Sequence, residues 1–160
     1  MSFRRVTPDD IPELSRIESA SYPEAEAATL DSFTLRVNAF PECLWLLEKD
    51  DKIVSFISAM RTNANTLVDE MYHSADLYSP NGKNLMIFSV VTDPDHRHMG
   101  YAGDVMGKLI EDCYFANIES IVLTCKENLI TFYQDFGFED EGISGSEHGG
   151  VQWHQMRFQL

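Results

Sequence analysis

The chain is poor in cysteine, poor in basic residues and without a long apolar run, and each shortage excludes something. Its three cysteines, Cys43, Cys113 and Cys125, lie far apart and form no Cys-x-x-Cys pair. An odd number at such spacings builds neither a disulfide framework nor a zinc site, so reduced, mostly buried thiols and no metal are expected. Twelve Lys and Arg stand against 26 Asp and Glu, a formal net charge of −14. A surface of that sign repels nucleic acid unless basic residues cluster, and the only concentration surrounds Arg97. No apolar run approaches the roughly 20 residues that span a bilayer. Met1–Val6 lacks the apolar stretch of a signal peptide. A soluble, cytoplasmic protein with no nucleic-acid or membrane partner is the expectation.

What is present suits one compact domain over residues 1–160, with 44% hydrophobic residues to fill a core. Phe3 to Val6 reads as a first strand. Ile11, Leu14 and Ile17 recur at helical spacing, and Thr29 is placed to cap a second helix that Pro41 ends. Leu44–Leu47 and Ile53–Met60 flank a turn and predict an antiparallel hairpin. A short helix is expected around 67–77. Leu85–Thr92 is nearly all apolar, as in a central strand covered on both faces. An amphipathic helix follows from Gly100, then a buried strand at 120–124, a helix over Leu129–Phe136 closed by Gly137, a strand from Phe138 to Ile143, and a last strand over Val151–Phe158. Alternating helices and strands in the second half place the chain in the α/β (α+β) class, with a mixed sheet.

The segment richest in chemistry is Arg97-His98-Met99-Gly100-Tyr101-Ala102, between the apolar strand and the helix after it. A loop that opens a helix presents free backbone N–H groups to an anion, most often a phosphate, and Gly100 stands where bulk would block the approach. It is neither a Walker P-loop, since no Gly-Lys-Ser/Thr follows, nor a dinucleotide fingerprint, since Gly-x-Gly-x-x-Gly is missing. One strand later comes Phe132-Tyr133-Gln134-Asp135-Phe136-Gly137-Phe138.

Arg-x-x-Gly-x-Ala, then helix, strand and Phe-Tyr-x-x-Phe-Gly-Phe, resembles the GNAT N-acetyltransferase superfamily over nearly the whole chain. Cys125–Tyr133 is similar to the matching segment of arylalkylamine N-acetyltransferases. Ser21–Ala28 is similar to the substrate-side loop of their microbial and fungal relatives, some of which acetylate polyamines. The resemblance implies a mostly antiparallel central sheet flanked by about four helices. It also implies acetyl-CoA as cosubstrate and transfer of the acetyl group to a primary, small cationic amine by direct attack through a tetrahedral intermediate. The pyrophosphate would rest on the amides of His98, Met99, Gly100, Tyr101, Ala102 and Gly103, with Arg97 adding charge. The pantetheine arm would pair with the backbone at Val90, Val91 and Thr92, and Asn128 would be a further cofactor contact. Tyr133 would be the general acid for the leaving thiolate. Glu24, Glu26 and Phe88 would face the amine.

One departure limits the resemblance. The arylalkylamine enzymes carry a His-x-His pair where this chain has Met86 and Phe88, and neither side chain accepts a proton. His73, His96, His98, His148 and His154 remain, as does a water held by Glu24, Glu26 or Glu70. Alternative readings are a protein N-terminal or aminoglycoside acetyltransferase, or an acyl-CoA-binding module without catalysis. The C-terminal edge strands suit either a monomer or a homodimer.

Overall fold

The computed structural model describes residues 1–160. Seven strands form one sheet: β1 (Ser2–Arg4), β2 (Leu44–Lys49), β3 (Lys52–Thr62), β4 (Asn84–Thr92), β5 (Ser120–Cys125), β6 (Glu139–Ile143) and β7 (His154–Gln159). Their order across the sheet is β1-β2-β3-β4-β5-β7-β6, and only β4 and β5 run parallel. Four helices accompany them: α1 (Ile11–Ser21), α2 (Leu30–Ala39), α3 (Tyr101–Phe115) and α4 (Ile130–Gln134). This is the mixed α/β architecture expected from the sequence. No helix is long and apolar enough to cross a membrane.

Alternation along the strands feeds two cores. Leu44, Leu46, Ile53, Phe56 and Val91 pack against Leu14 and Ile17 of α1 and Phe33 and Val37 of α2. Leu47, Val54 and Ile57 belong to the larger core, with Val105, Met106, Leu109 and Cys113 of α3. The side-chain oxygen of Thr29 accepts the Ser32 N–H at 3.1 Å, so the expected cap starts α2.

Three boundaries differ from expectation. Between 64 and 78 there is no α-helix, only a 3-10 turn over Asp69–Tyr72. Val68 is extended before it, Ser74 Oγ takes the Asp76 N–H after it, and Tyr78 bridges back to Thr62. Those local bonds and the strand-like bridge compete with helix hydrogen bonding, and Met71 and Tyr72 are buried from the turn alone. The first strand ends at Arg4, whose guanidinium is held by Asp10 and Glu48. The last strand begins at His154, because Gly149 and Gly150 adopt φ of +67° and +69° just before it.

The feature that positions the site is a parting of β4 from β5. Their ladder runs from Asn84/Ser120 to Ile87/Leu123 and stops. At that point the β3 register shifts, Ala59 facing Ile87 and Ser58 facing Ser89, so Phe88 is a bulge residue. Beyond it β4 stays with β3 while β5 stays with β7, as far as Cys125/His154. A wedge opens between the two strands.

Candidate active site

The wedge holds two compartments. The larger is an open cleft of about 610 Å³ floored by Val90, Val91 and Thr92, with Phe132 and Tyr133 of α4 and Phe136 just beyond it as its far wall. Past the ladder, alternate residues of β4 turn their backbone groups away from β3. Val90 is one of them, and its carbonyl accepts the Tyr22 hydroxyl at 3.1 Å.

The cleft ends at the loop before α3. Asp93 pins the loop's start: its N–H donates to Val54 O at 2.8 Å, and its carboxylate accepts the Asp95 N–H and Arg16 Nη2, each at 3.1 Å. Against the opposing effect of burial, those donors hold the Asp93 carboxyl below the usual carboxylate range. His98 and Gly100 then take φ of +64° and +82°, and the chain enters α3 with Gly100 as its cap. A Cβ on Gly100 would meet nothing within 4 Å, so the constraint there is backbone conformation and the room left open before the helix. Amides 97–103 donate to no backbone or side-chain acceptor, and the first bond of the helix is Asp104 N–H to Gly100 O at 3.1 Å. Seven consecutive free N–H groups thus stand at the positive end of a 15-residue helix. Arg97 adds a full charge beside them, its Nη2 donating to Ser21 Oγ at 3.2 Å.

The smaller compartment lies behind Tyr22, Leu129 and Tyr133, which line both spaces. It measures about 50 Å³, with aromatic walls from Tyr72, Phe88 and Trp153. The β6–β7 connection roofs it. Ser146 Oγ and the Glu147 N–H donate to the Asp69 carboxylate at 2.6 and 3.1 Å. His148 Nε2 donates to Glu26 O at 2.8 Å, and its ring stacks on Tyr72 with centroids 4.3 Å apart. Trp153 Nε1 donates to His148 O at 2.8 Å. Glu18, 2% exposed, faces the same space. One of its carboxylate oxygens accepts the Ala28 N–H; the other is buried, with the Ser89 hydroxyl near the carboxyl but no well-formed hydrogen bond. Burial pushes the Glu18 carboxyl up. Burial likewise raises the Tyr133 phenol well above its ordinary value, and its hydroxyl makes no hydrogen bond within the protein.

Nine of the cofactor residues expected from the sequence come together on the cleft: Val90, Val91, Thr92, Arg97, His98, Gly100, Tyr101, Ala102 and Gly103. Two do not. Met99 turns its side chain to solvent and offers only its free amide, the group expected to make the contact, and Asn128 is exposed in the 3-10 turn before α4. Tyr133 stands between the compartments and Phe88 in the smaller one. Glu26 also reaches the smaller pocket, but Lys126 Nζ pairs with it at 2.9 Å. Glu24 is exposed and unpaired. Met86 is fully buried in the core. His96 and His98 line the cleft, whereas His154 contacts Asp140 on the neighbouring strand and reaches neither space. Sequence reasoning missed Glu18, Tyr22 and the roof. One signal for Glu18 was available: it falls four residues after Leu14 on the buried stripe of α1, where a carboxylate needs a reason.

The sequence profile of the acetyltransferase (GNAT) family matches residues 11–138. An uncharacterized N-acetyltransferase, ycf52, of Porphyra purpurea is 36% identical over 69 residues, covering 42% of this chain and 40% of that protein. The match to its Pyropia yezoensis counterpart spans 55% of that protein, so the chain spans about half the length of the curated relatives it matches. Among solved structures, the loading GNATL domain of CurA from Lyngbya majuscula superposes with a TM-score of 0.85 at 15% identity, covering 99% of this chain and 96% of that one. Arabidopsis thaliana Naa50, solved with the bisubstrate analogue CoA-Ac-MVNAL, gives 0.76 at 15% identity, covering 99% and 98%. At such identities these likenesses establish the fold.

Proposed function

The chain belongs to the acetyltransferase (GNAT) family, and from that premise we propose that it moves an acetyl group from acetyl-CoA to a small primary amine. The observation that carries the donor half is the run of seven free amides at 97–103 beside Arg97. Unbonded N–H groups at a helix N-terminus are a pyrophosphate cradle, and Gly100 leaves the approach clear. The outward edge of β4 at Val90 suits the amide groups of a pantetheine arm, which would compete with or sit beside the Tyr22 hydroxyl. The cleft is long and open enough for such a ligand, at about 610 Å³.

Acetyl-CoA supplies an activated carbonyl and a thiolate leaving group; the residues of this chain orient the two reactants and handle protons. Tyr133 stands where the cleft meets the enclosed pocket. Because burial holds its phenol protonated, it can donate to a departing thiolate. The acceptor then belongs in the enclosed pocket. A space of about 50 Å³ admits a terminal amino group on a slim stem. That size favours a small amine over a bulky protein N-terminus or an aminoglycoside ring. Buried Met86, together with Phe88 in the pocket wall, supports a route without a histidine relay.

Calorimetric titration with CoA and acetyl-CoA, followed by thiol release over a panel of alkylamines, polyamines, arylalkylamines and peptides, tests the proposal. The expected result is saturable CoA binding and turnover on unbranched primary amines. CoA binding with no turnover on any amine would instead make the chain an acyl-CoA-binding module.

A further inference from the structure

The enclosed pocket contains one buried carboxylate that the fold uses at only one of its two oxygens. Glu18 Oε2 accepts the Ala28 N–H, while Oε1 is buried with only the Ser89 hydroxyl near the carboxyl, and neither that oxygen nor that hydroxyl has a well-formed hydrogen bond. A half-satisfied carboxylate in an apolar wall costs stability unless something else binds it. The surroundings say what that something is. Tyr22, Tyr72, Phe88, Tyr133 and Trp153 supply aromatic faces, which attract cations as well as carrying apolar stems. The nearest buried cation, Arg36, does not line the space, though its charge acts on Glu18 from the other side of Phe88. It is 1% exposed, and its guanidinium carbon sits 4.3 Å from the Phe88 ring centroid, bonded to Ser58 Oγ at 3.1 Å. No ion pair joins it to Glu18.

We propose that Glu18 receives the ammonium group of the acceptor amine in this pocket and takes one proton from it. The inference rests on the acetyl-transfer reading for its chemistry, though the cation site itself does not. In the step, Glu18 carboxylate becomes the carboxylic acid and the ammonium becomes a free amine. The nitrogen–carbon bond forms and the carbon–sulfur bond breaks. The leaving thiolate takes the Tyr133 proton, Tyr133 recovers a proton from the acylated nitrogen, and Glu18 releases its own to water. One proton leaves per turnover, as the conversion of an ammonium and a thioester to an amide and a thiol requires.

Glu18 does not titrate alone. Facing it across the pocket are the phenols of Tyr22, Tyr72 and Tyr133, the Cys125 thiol, the His148 ring and Glu26, which Lys126 neutralises, with Arg36 behind Phe88. Burial raises the phenols and the thiol, Cys125 to about 11, so they stay uncharged through neutral pH. His148 is the only imidazole lining the pocket, so a His148→Gln variant serves as the control for any pH effect.

The test compares wild type with Glu18→Gln in the full chain. Glutamine keeps the shape and an oxygen for the Ala28 N–H, and a CoA titration checks that the donor cleft is intact. Two amines are used: 1,4-diaminobutane, charged at neutral pH, and 2,2,2-trifluoroethylamine, largely uncharged there. Glu18→Gln is expected to lower kcat/KM for 1,4-diaminobutane by about 100-fold or more, with a much smaller loss on trifluoroethylamine. Direct binding of 1,4-diaminobutane to the CoA-loaded protein should weaken by about tenfold. If the variant binds and turns over both amines like wild type, Glu18 only caps the loop and the proposal is overturned. If wild type shows Glu18-dependent diamine binding but releases no thiol, the cation site stands and the acetyl-transfer reading falls.

Discussion

The two compartments of the wedge are built by opposite means. The cleft is made of backbone: seven unbonded amides in one loop and the free edge of one strand. The pocket is made of side chains gathered from α1, the 69–72 turn, β4, β5, α4 and the β6–β7 connection. The first is open and positive at its end; the second is enclosed, aromatic and carries a buried carboxylate. A site for a large, invariant ligand is fixed by main-chain geometry that tolerates many side chains. A site for a small, variable ligand is fixed by which side chains meet. The two should therefore respond to mutation separately, except where Tyr133 belongs to both.

The largest effect is expected at that junction. Tyr133→Phe should lower kcat by at least about 100-fold while leaving CoA affinity unchanged, as read by steady-state thiol release and calorimetry. On the cleft side, Gly100→Val forces a branched residue into a left-handed conformation and so distorts the loop that carries the free amides. The KM for acetyl-CoA should rise about tenfold, a change of about 1.4 kcal/mol, with the amine KM unmoved. On the pocket side, a Cβ at Gly149 would lie 2.7 Å from Glu26 Cγ and 3.2 Å from Ala25 O. Gly149→Ala should lift the roof, raising the KM for small amines by about threefold while improving turnover of bulkier ones, since loss of close packing costs about 1 kcal/mol.

Legibility in the sequence divided along the same line. The cleft could be read because its parts are contiguous: a buried strand, a loop with one glycine in the right place, and a helix start. The strand–helix alternation fixed the sheet for the same reason. The pocket could not, because Glu18, Tyr72, Phe88 and His148 are brought together only by tertiary packing. The sequence pointed to Glu24 and Glu26 as amine contacts because acids in a substrate-side loop look available. In the fold Glu24 faces solvent and Glu26 pairs with Lys126, while the acid proposed here to meet the amine, Glu18, sits on the buried stripe of α1. The expected helix over 67–77 failed for a related reason: Met71 and Tyr72 mimic a helical face but are buried from a single 3-10 turn.

Two smaller effects sharpen the contrast. The folded protein holds the Glu18 proton more tightly than the unfolded chain does, because burial raises its pKa above 4.5. Stability linked to that proton is therefore full below the ordinary glutamate range and lost as pH rises through the raised value. Glu18→Gln should melt a few degrees (of the order of 2–4 °C) above wild type at pH 7.5, and the gap should close as the pH is lowered toward 4.5. Glu24→Gln, at an exposed and unpaired position, should leave both KM values within about twofold of wild type.

The most direct test of the two-compartment account is a paired measurement of KM for acetyl-CoA and for 1,4-diaminobutane in wild type, Gly100→Val and Gly149→Ala. The account predicts that the first substitution moves only the acetyl-CoA value and the second only the amine value. Both values moving together in both variants, or no thiol release by the wild type on any primary amine, would contradict it.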